Sequence, residues 1–548
     1  MKTTLIFLLS FLNFSILNVH SQVVQQWAKS YNYSANANDN SNDIKADSDG
    51  NLYVLGNSVY NNNVYFTLIK YSPQGSVLWS ANYSVPGSEG LVSANSLALD
   101  ASAVYASGQL DGKIVVLKYS LSGTMQWLLY YSEPGIDSAG YSARILVSSS
   151  GSLYVSATCG HTGNILLLKY DPSGTLLLAR KFNGSGSKYN SAGVLLEDQL
   201  GNIYMAGRSG ASINTTDVML IKFDSEGNPV WYKKHHSGAY PGPGPRIALD
   251  DSGNTYLAYS SMNESLLLVI RLVKYDPAGS LLWQVADSGN APGDCEARSV
   301  AAGMDGNIYV TGSNFNNTTN TDCVTLKFSP SGTLIWKKTF DGGIQNIDIG
   351  YRLIIGPDGN LYIGGSTNST TGYYDYLALK YSSLGELMWH KSYNGSGSST
   401  DIINAMTLDN SGNLVVTGWS IGLGTESDMT TVKYAQPIGI EPVSNEVPKS
   451  FSLSQNYPNP FNPETNISFN IPLLRGVDVP STRDGRGVLV KLSVYDILGK
   501  QVAALVNQNL QPGTYEVNWN AADFPSGIYF YSLRAGDYSE TRKMVLIK

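Results

Sequence analysis

Seven aspartates carry the most suggestive spacing in the chain. Asp217, Asp322, Asp375 and Asp428 each stand five residues before a lysine, at Lys222, Lys327, Lys380 and Lys433. Asp294, Asp348 and Asp401 follow one another at intervals of 54 and 53 residues. Carboxylates gathered on one face of a repeating fold would bind a cation or a polyol; placed at strand ends they would instead cap the backbone N–H groups of loops. Asp294, Asp348, Asp401, Asp322, Asp375 and Asp428 are the candidate binding residues, with both readings open.

Other chemistry is thinner. There are five histidines. His235 and His236 are adjacent, so in a strand they point to opposite faces and do not chelate together, and His161 and His390 stand alone; no metal site is expected. Gly418-Trp419-Ser420-Ile421-Gly422 matches a nucleophile elbow, but that motif needs a strand–turn–helix and a His–acid pair, so no catalytic residue is assigned. Asp47-Ser48-Asp49-Gly50-Asn51 is half of a calcium loop, with Ser58 where a bidentate Glu belongs. It leaves calcium as a weak option in a chain with no other cofactor expected. Cys295 and Cys323 fall in one repeat and could pair in an oxidising compartment, although a strand should separate them; the plainer reading, with Cys159, is three buried thiols.

The elements that must position these residues repeat. Charged residues are 14% of the 548, against about 25% in an average domain. The 55 glycines and 36 tyrosines speak for short strands and tight turns, and a net charge of -7 argues against a nucleic-acid binder. Gly-Asn-x-Tyr turns recur at Gly50, Gly201, Gly253, Gly306 and Gly359, with variants at Ser102, Gly151 and Gly412. A lysine followed by an aromatic recurs at 70, 118, 169, 222, 274, 327, 380 and 433, a period of about 52 residues. Turns such as Ser72-Pro73-Gln74-Gly75 follow, with the Pro and Gly placement of a type I turn closed by a left-handed glycine. Four residues after that glycine comes Trp79, Trp127, Trp231, Trp283, Trp336 or Trp389, with Leu178 in the third unit.

Each unit therefore reads as four antiparallel strands, a to d, and eight units read as an all-β, eight-bladed β-propeller over residues 22–435. The last unit lacks strand d. The segment Val23–Tyr31 carries Trp27 in the right phase and is expected to close the last blade as its fourth strand; seven blades with an appended sheet is the alternative. Trp27 and the six tryptophans above are structural wedges whose indole N–H reaches a backbone carbonyl.

The Gly-Asn-x-Tyr-Val-x-Gly and Lys-Tyr-x-Pro-x-Gly-x-x-x-Trp patterns resemble the SBBP repeats of exported bacterial propellers, a family usually described with seven blades. The Gly-x-x-x-Trp spacing also resembles the tryptophan docking of quinoprotein dehydrogenases and outer-membrane assembly propellers. That likeness concerns packing, and the chain has no adjacent cysteine pair for quinoprotein chemistry. Residues 436–449 carry three prolines and no strand period, and read as a linker. Residues 450–548 read as about seven short antiparallel strands in an Ig-like sandwich, with an insertion at 472–487. Tyr457-Pro458-Asn459-Pro460-Phe461, Val494–Gly499, Pro525–Tyr529 with Gly527, and Lys543–Lys548 resemble the type A C-terminal sorting domain of the type IX, or Por, secretion system. The resemblance implies contact with that machinery, passage across the outer membrane, and anchoring at the surface or release.

At the other end, Lys2, an apolar run over residues 5–17 and Val19-His20-Ser21 form a signal peptide cut after Ser21. No segment is long enough to span a membrane. The expected protein is a monomeric, secreted or cell-surface propeller that binds a glycan or protein through Asn-, Ser-, Thr- and Tyr-rich b–c loops such as Ser313–Asp322 and Ser366–Tyr374. A polysaccharide lyase or hydrolase working in the central channel is the alternative, and a spacer without ligand the third. Paired carboxylates in the channel would favour the enzyme; an apolar plug would favour the binder.

Overall fold

The computed structural model describes residues 23–33, 37–61, 63–84, 92–132, 143–159, 164–182, 189–210, 216–238, 242–288, 295–316, 318–343, 347–368, 372–435, 441–444, 448–472, 488–499, 501–510, 512–521 and 524–548. The signal peptide, His161, Asp294 and most of the 472–487 insertion lie outside them. All assigned elements among the described residues are strands, and no helix there is long and apolar enough to cross a membrane. The chain divides into one unit spanning Gln25–Ala435 and a second holding Gln436–Lys548.

The first unit is an eight-bladed propeller. Seven sheets each take four consecutive strands, and the eighth takes Asp401–Leu408, Leu414–Ile421 and Ser427–Ala435 with Val24–Tyr31 as its outer strand. Strand a is innermost and lies against the strand a of the neighbouring blades. Strands b and c are buried on both faces, because each blade is covered by its neighbours, and strand d is exposed at the rim. The apolar core therefore lies between blades. Tyr256 and Ile270 of blade five pack with Val310 and Leu326 of blade six. Ile44 and Val54 of blade one pack with Val415 and Met429 of blade eight, which closes the ring.

A polar lock fastens every junction but the one between blades seven and eight. The carbonyl of Leu121 in the c–d turn of blade two accepts from Lys70 Nζ and Trp79 Nε1 of blade one, both at 3.1 Å. Pro277, Pro330 and Ser383 carbonyls accept in the same way from Lys222 and Trp231, Lys274 and Trp283, and Lys327 and Trp336. At the closure Lys433 and Trp27 both donate to Pro73 O. Blade three, with Leu178 in place of Trp, supplies Tyr154 O–H beside Lys169 to Ser225 O. Blade eight has no c–d turn, since its strand d comes from the other end of the chain, and the Trp389 N–H is left without a partner. Nothing in the structure explains why the Trp127 N–H is also unpaired.

Six of the lysines, Lys70, Lys222, Lys274, Lys327, Lys380 and Lys433, are held from behind by a carboxylate in the a–b turn. Asp47 Oδ2 lies 3.5 Å from Lys70 Nζ and accepts from Tyr53 O–H, while its Oδ1 accepts from the Asp49 and Asn51 N–H groups. The calcium-like half-loop is thus a carboxylate enclosed by donors. The indoles lie on the turn glycines. A Cβ on Gly332 (φ +86°) would fall 2.9 Å from Trp283, whereas one on Gly359 (φ +69°) would meet nothing within 4 Å.

The second unit is a sandwich of two four-stranded sheets around one core that includes Phe461, Phe469, Trp519 and Tyr531. One of its strands, Glu441–Ser444, falls in the stretch read as a linker and pairs with Gly513–Asn520. An edge strand needs no apolar alternation and tolerates Pro442, so sequence periodicity does not reveal it. The b–c loops are also tighter than expected. Ser313–Asn316 pairs residue by residue with Asn320–Cys323, and Ser366–Asn368 with Tyr374–Tyr376, because the strand ladder runs on through polar residues.

Both glycines have positive φ, so alanine costs about 1 kcal/mol or more at either. Gly332→Ala also collides with an indole and is expected to cost about 1–3 kcal/mol beyond Gly359→Ala. Chemical denaturation of the two variants checks this, and equal losses would refute the docking role of the glycine.

Candidate functional site

The structure sorts the candidate aspartates into pairs that cross blade junctions. In blade seven Asp348 of strand a stands opposite Thr367 of strand b, which stands opposite Asp375 of strand c. In blade eight the series is Asp401, Ser420, Asp428. Blade six has Cys295, Asn314, Asp322. Cys295 is thus in register with Asp348 and Asp401, one residue beyond Asp294. Each strand-c aspartate interacts electrostatically with the strand-a aspartate of the next blade: Asp322 with Asp348, Asp375 with Asp401, and Asp428 with Asp39.

Asp39 was not singled out in the sequence. Counting back from the strand-b glycines Gly56, Gly365 and Gly418 would have found it, since Ser41, Gly350 and Ile403 face those glycines two residues after Asp39, Asp348 and Asp401.

All six paired carboxylates are buried. Backbone caps satisfy part of each strand-a acid: Gly342 N–H donates to Asp348 Oδ2 at 2.7 Å, Gly395 N–H to Asp401 Oδ2 at 2.8 Å, and Tyr33 N–H to Asp39 Oδ2 at 2.8 Å. The Val59 N–H also donates to Asp39 Oδ1 at 3.1 Å, so capping describes both oxygens of Asp39 and one oxygen each of Asp348 and Asp401. The Oδ1 atoms of Asp322, Asp348, Asp375, Asp401 and Asp428 are buried without a hydrogen-bond partner. Burial first, and then the neighbouring carboxylate, pushes Asp375 up to about 6; Asp322, Asp348, Asp401, Asp428 and Asp39 are raised too, in each case chiefly by burial.

Asp217 of blade four occupies the same strand-c position and behaves oppositely. Burial raises it, but hydrogen bonds from Lys234 and His236, both at 2.8 Å, outweigh burial and hold it below the usual range. His235 points the other way, to Tyr275 O–H at 2.7 Å, as neighbours in a strand must. Ser420 lies inside a strand between two aspartates. Cys295 and Cys323 form no disulfide with each other and line opposite faces of blade six, with strand b between them.

The feature the sequence reading missed lies at the axis. Arg144, Arg246 and Arg352 occupy one register position on the inner strands of blades three, five and seven, facing Ser156, Ala258 and Gly364. Arg298 adds a fourth from the bulge of blade six, and Arg208 a fifth from strand b of blade four. Burial first, then Arg352, Arg144, Arg298 and Arg208, lower Arg246 to about 9, and Arg352 responds to Arg144 across the ring. A guanidinium with such a value is still protonated at neutral pH. Guanidiniums from non-neighbouring blades interact in this way because all of them converge on the central channel.

Several are aimed by backbone carbonyls: Arg144 Nη1 donates to Asn95 O at 2.8 Å, and Arg246 Nη1 to Gly244 O at 3.1 Å. Arg298 is paired with Glu296 and lies over the Tyr351 ring. Asp43, at the equivalent position in blade one, also acts on Arg352. Among the described residues the channel is thus neither apolar nor lined by paired carboxylates.

In the second unit the sorting residues gather at the terminal strand Tyr538–Leu546. Phe461 is buried against Trp519, its N–H donates to Val545 O, and its carbonyl accepts from the Ile547 N–H, both at 3.0 Å. Asn459 Oδ1 accepts from Val545 N–H, Lys543 O accepts from Gln455, and the Lys548 N–H reaches Ser526 Oγ beside Gly527. Tyr457 is 80% exposed. Gly499 (φ +78°) closes a turn that holds Ile497 and Leu498 out in solvent.

Because Asp375 keeps its proton more tightly when folded than when unfolded, its contribution to stability falls as pH rises from about 4 to about 6 and is level above that. Asp375→Asn removes this loss. The variant is expected to match the parent near pH 4 and to exceed it by about 1–3 kcal/mol at pH 7. Denaturant titrations across that range check it, and a constant difference at all pH values would contradict it.

Residues 455–548 match the family described as secretion system C-terminal sorting domain. No curated protein matches the chain. Among solved structures, PorZ, an essential bacterial surface component of the type IX secretion system of Porphyromonas gingivalis, aligns at 11% identity and a TM-score of 0.38, covering 91% of this chain and 68% of its own. Polysaccharide lyase Uly1 aligns at 10% and 0.41, covering 72% and 89%. A PL25 ulvan lyase bound to GlcA(1-4)Rha3S aligns at 12% and 0.36, covering 67% and 95%. Likenesses of that size carry nothing about activity. The chain is a β-propeller that ends in a type IX secretion sorting domain and is exported to the cell surface or beyond it.

Proposed function

We propose that the exported propeller binds an anionic polymer, a glycan bearing carboxylate or sulfate groups, at its axis and does not turn it over. The observation that carries this reading is the convergence of Arg144, Arg208, Arg246, Arg298 and Arg352 on the channel of a protein whose net charge is -7. A cationic channel set in an acidic body concentrates field lines on an anionic guest and repels it from the outer surface. Guanidinium forks also match carboxylate and sulfate oxygens in pairs, which fixes orientation as well as charge. Part of this charge is already met by Asp43 and Glu296, which favours a polymer with spaced anionic groups over a compact polyanion.

A second reading, an eliminating lyase, draws on Tyr351 beside Arg298. Burial raises the Tyr351 hydroxyl, which is hydrogen-bonded to Ser366 Oγ at 2.9 Å, so it starts protonated and engaged rather than poised as a base. Hydrolysis by paired carboxylates is less favoured, because the carboxylate pairs are buried at blade junctions.

The test is binding of the full secreted chain to alginate, polygalacturonate, chondroitin sulfate and neutral dextran at two salt concentrations, with unsaturated and reducing ends followed by absorbance. Binding to at least one anionic polymer is expected, weakened by salt and absent for dextran. The Arg246→Gln/Arg352→Gln double variant should lose at least about tenfold in affinity. Equal binding of dextran, or full binding by the double variant, would overturn the proposal, and new unsaturated ends would establish the lyase.

A further inference from the structure

We propose that the junction of blades six and seven holds a divalent cation of the hard, oxygen-seeking class, Ca2+ in an extracellular setting, between Asp322, Asp341 and Asp348. This site is separate from the arginine channel and does not depend on the ligand proposed for it.

The geometry comes first. One carboxylate oxygen from each of the three residues lies within 4.8 Å of the other two. Asp322 and Asp348 are 3% and 0% exposed. Their Oδ2 atoms are engaged, by Thr319 Oγ1 at 2.8 Å and by Gly342 N–H at 2.7 Å. Their Oδ1 atoms are buried with no hydrogen-bond partner. Leaving two buried anionic oxygens unmatched is strongly unfavourable, so native proteins match them with a cation or a proton.

Comparison within the ring narrows the choice. At the same strand-c position in blade four, Lys234 and His236 neutralise Asp217. Among the described residues no Lys, Arg or His pairs with Asp322, Asp341 or Asp348; the next blade contributes a second and a third carboxylate instead. A shared proton satisfies one carboxylate pair and leaves the third acid facing it. A divalent ion satisfies all three.

The register of the loops identifies the strongest site. Asp341 stands seven residues before Asp348, where Asn394 stands before Asp401 and Asn32 before Asp39. Only the junction of blades six and seven has three carboxylates; the other two have two carboxylates and an amide. The donors are all oxygen, which selects Ca2+ or Mg2+ over zinc. Ca2+ accepts irregular ligand sets drawn from a strand and a turn, whereas Mg2+ demands a near-ideal octahedron. Asp341 is exposed, which gives the ion an entry path.

The experiment is calorimetric titration and thermal melting of the full secreted chain with Ca2+, after chelator treatment. A saturable site is expected, with a dissociation constant of about 10⁻³ M or tighter, together with a rise in melting temperature. Asp341→Asn, at an exposed position that leaves the fold intact, should weaken the site at least about tenfold. Asp322→Asn/Asp348→Asn should abolish it while leaving the metal-free protein no less stable than the parent. Carboxylates that only cap loops would predict the reverse, a lower melting point in that double variant and no response to Ca2+. No heat and no shift up to about 10 mM Ca2+, beyond the range of extracellular modules, or a response unchanged in Asp341→Asn, would overturn the proposal.

Discussion

The rest of the propeller depends on one shared acceptor, the c–d turn carbonyl that at five of the eight junctions accepts from both the lysine and the tryptophan of the preceding blade. A four-stranded blade buries neither face by itself, so each must be fixed to its neighbours. Apolar packing between blades supplies most of the adhesion but little register. The two-donor lock sets register, because an ammonium held by its own turn carboxylate and an indole lying on a glycine can meet one carbonyl in only one alignment. The same lock explains the ring closure. Trp27 arrives from the N-terminal side of the chain and Lys433 from the C-terminal side, and both donate to Pro73 O, so the last junction is built like the others without a covalent link.

Fixing the outer half of every blade leaves the inner strand free to vary, and the chemistry has accumulated there. Strand a carries the extra residue of a bulge in six blades. Bulges of this kind re-aim side chains without disturbing the rest of a sheet. Arg298 is itself a bulge residue and Arg352 follows one, whereas Arg144 and Arg246 stand on inner strands without a bulge. The axial arginines and the junction aspartates differ in electrostatic state. The axial cations are partly matched by Asp43 and Glu296, whereas five of the six junction anions keep a buried oxygen without a hydrogen-bond partner.

The lysine, the turn glycine and the tryptophan were legible in the sequence because each recurs at a fixed interval for a local reason. The sorting domain was legible because its short motifs converge on the terminal strand. The axial arginines were not, because Arg144, Arg246, Arg298 and Arg352 come from different blades, two of the inner strands are only four residues long, and no shared motif surrounds them. Asp39 escaped for a related reason: its blade has Tyr65 where blades six to eight have their strand-c aspartates, so the spacing that revealed Asp375 and Asp428 is silent there. Cys295 shows the limit of spacing arguments. A one-residue difference in interval placed Asp294 in a series to which its neighbour belongs.

Export by the type IX route delivers this ring to the cell surface or beyond. The most direct test of the account is hydrogen exchange of the full secreted chain with and without a saturating anionic polysaccharide. Slowed exchange at the inner strands, Arg144–Val147, Arg246–Leu249, Cys295–Ala302 and Asp348–Ile355, with the rim strands unchanged, is the predicted result. Protection confined to rim strands such as Leu281–Asp287, with the inner strands unaffected, would contradict it.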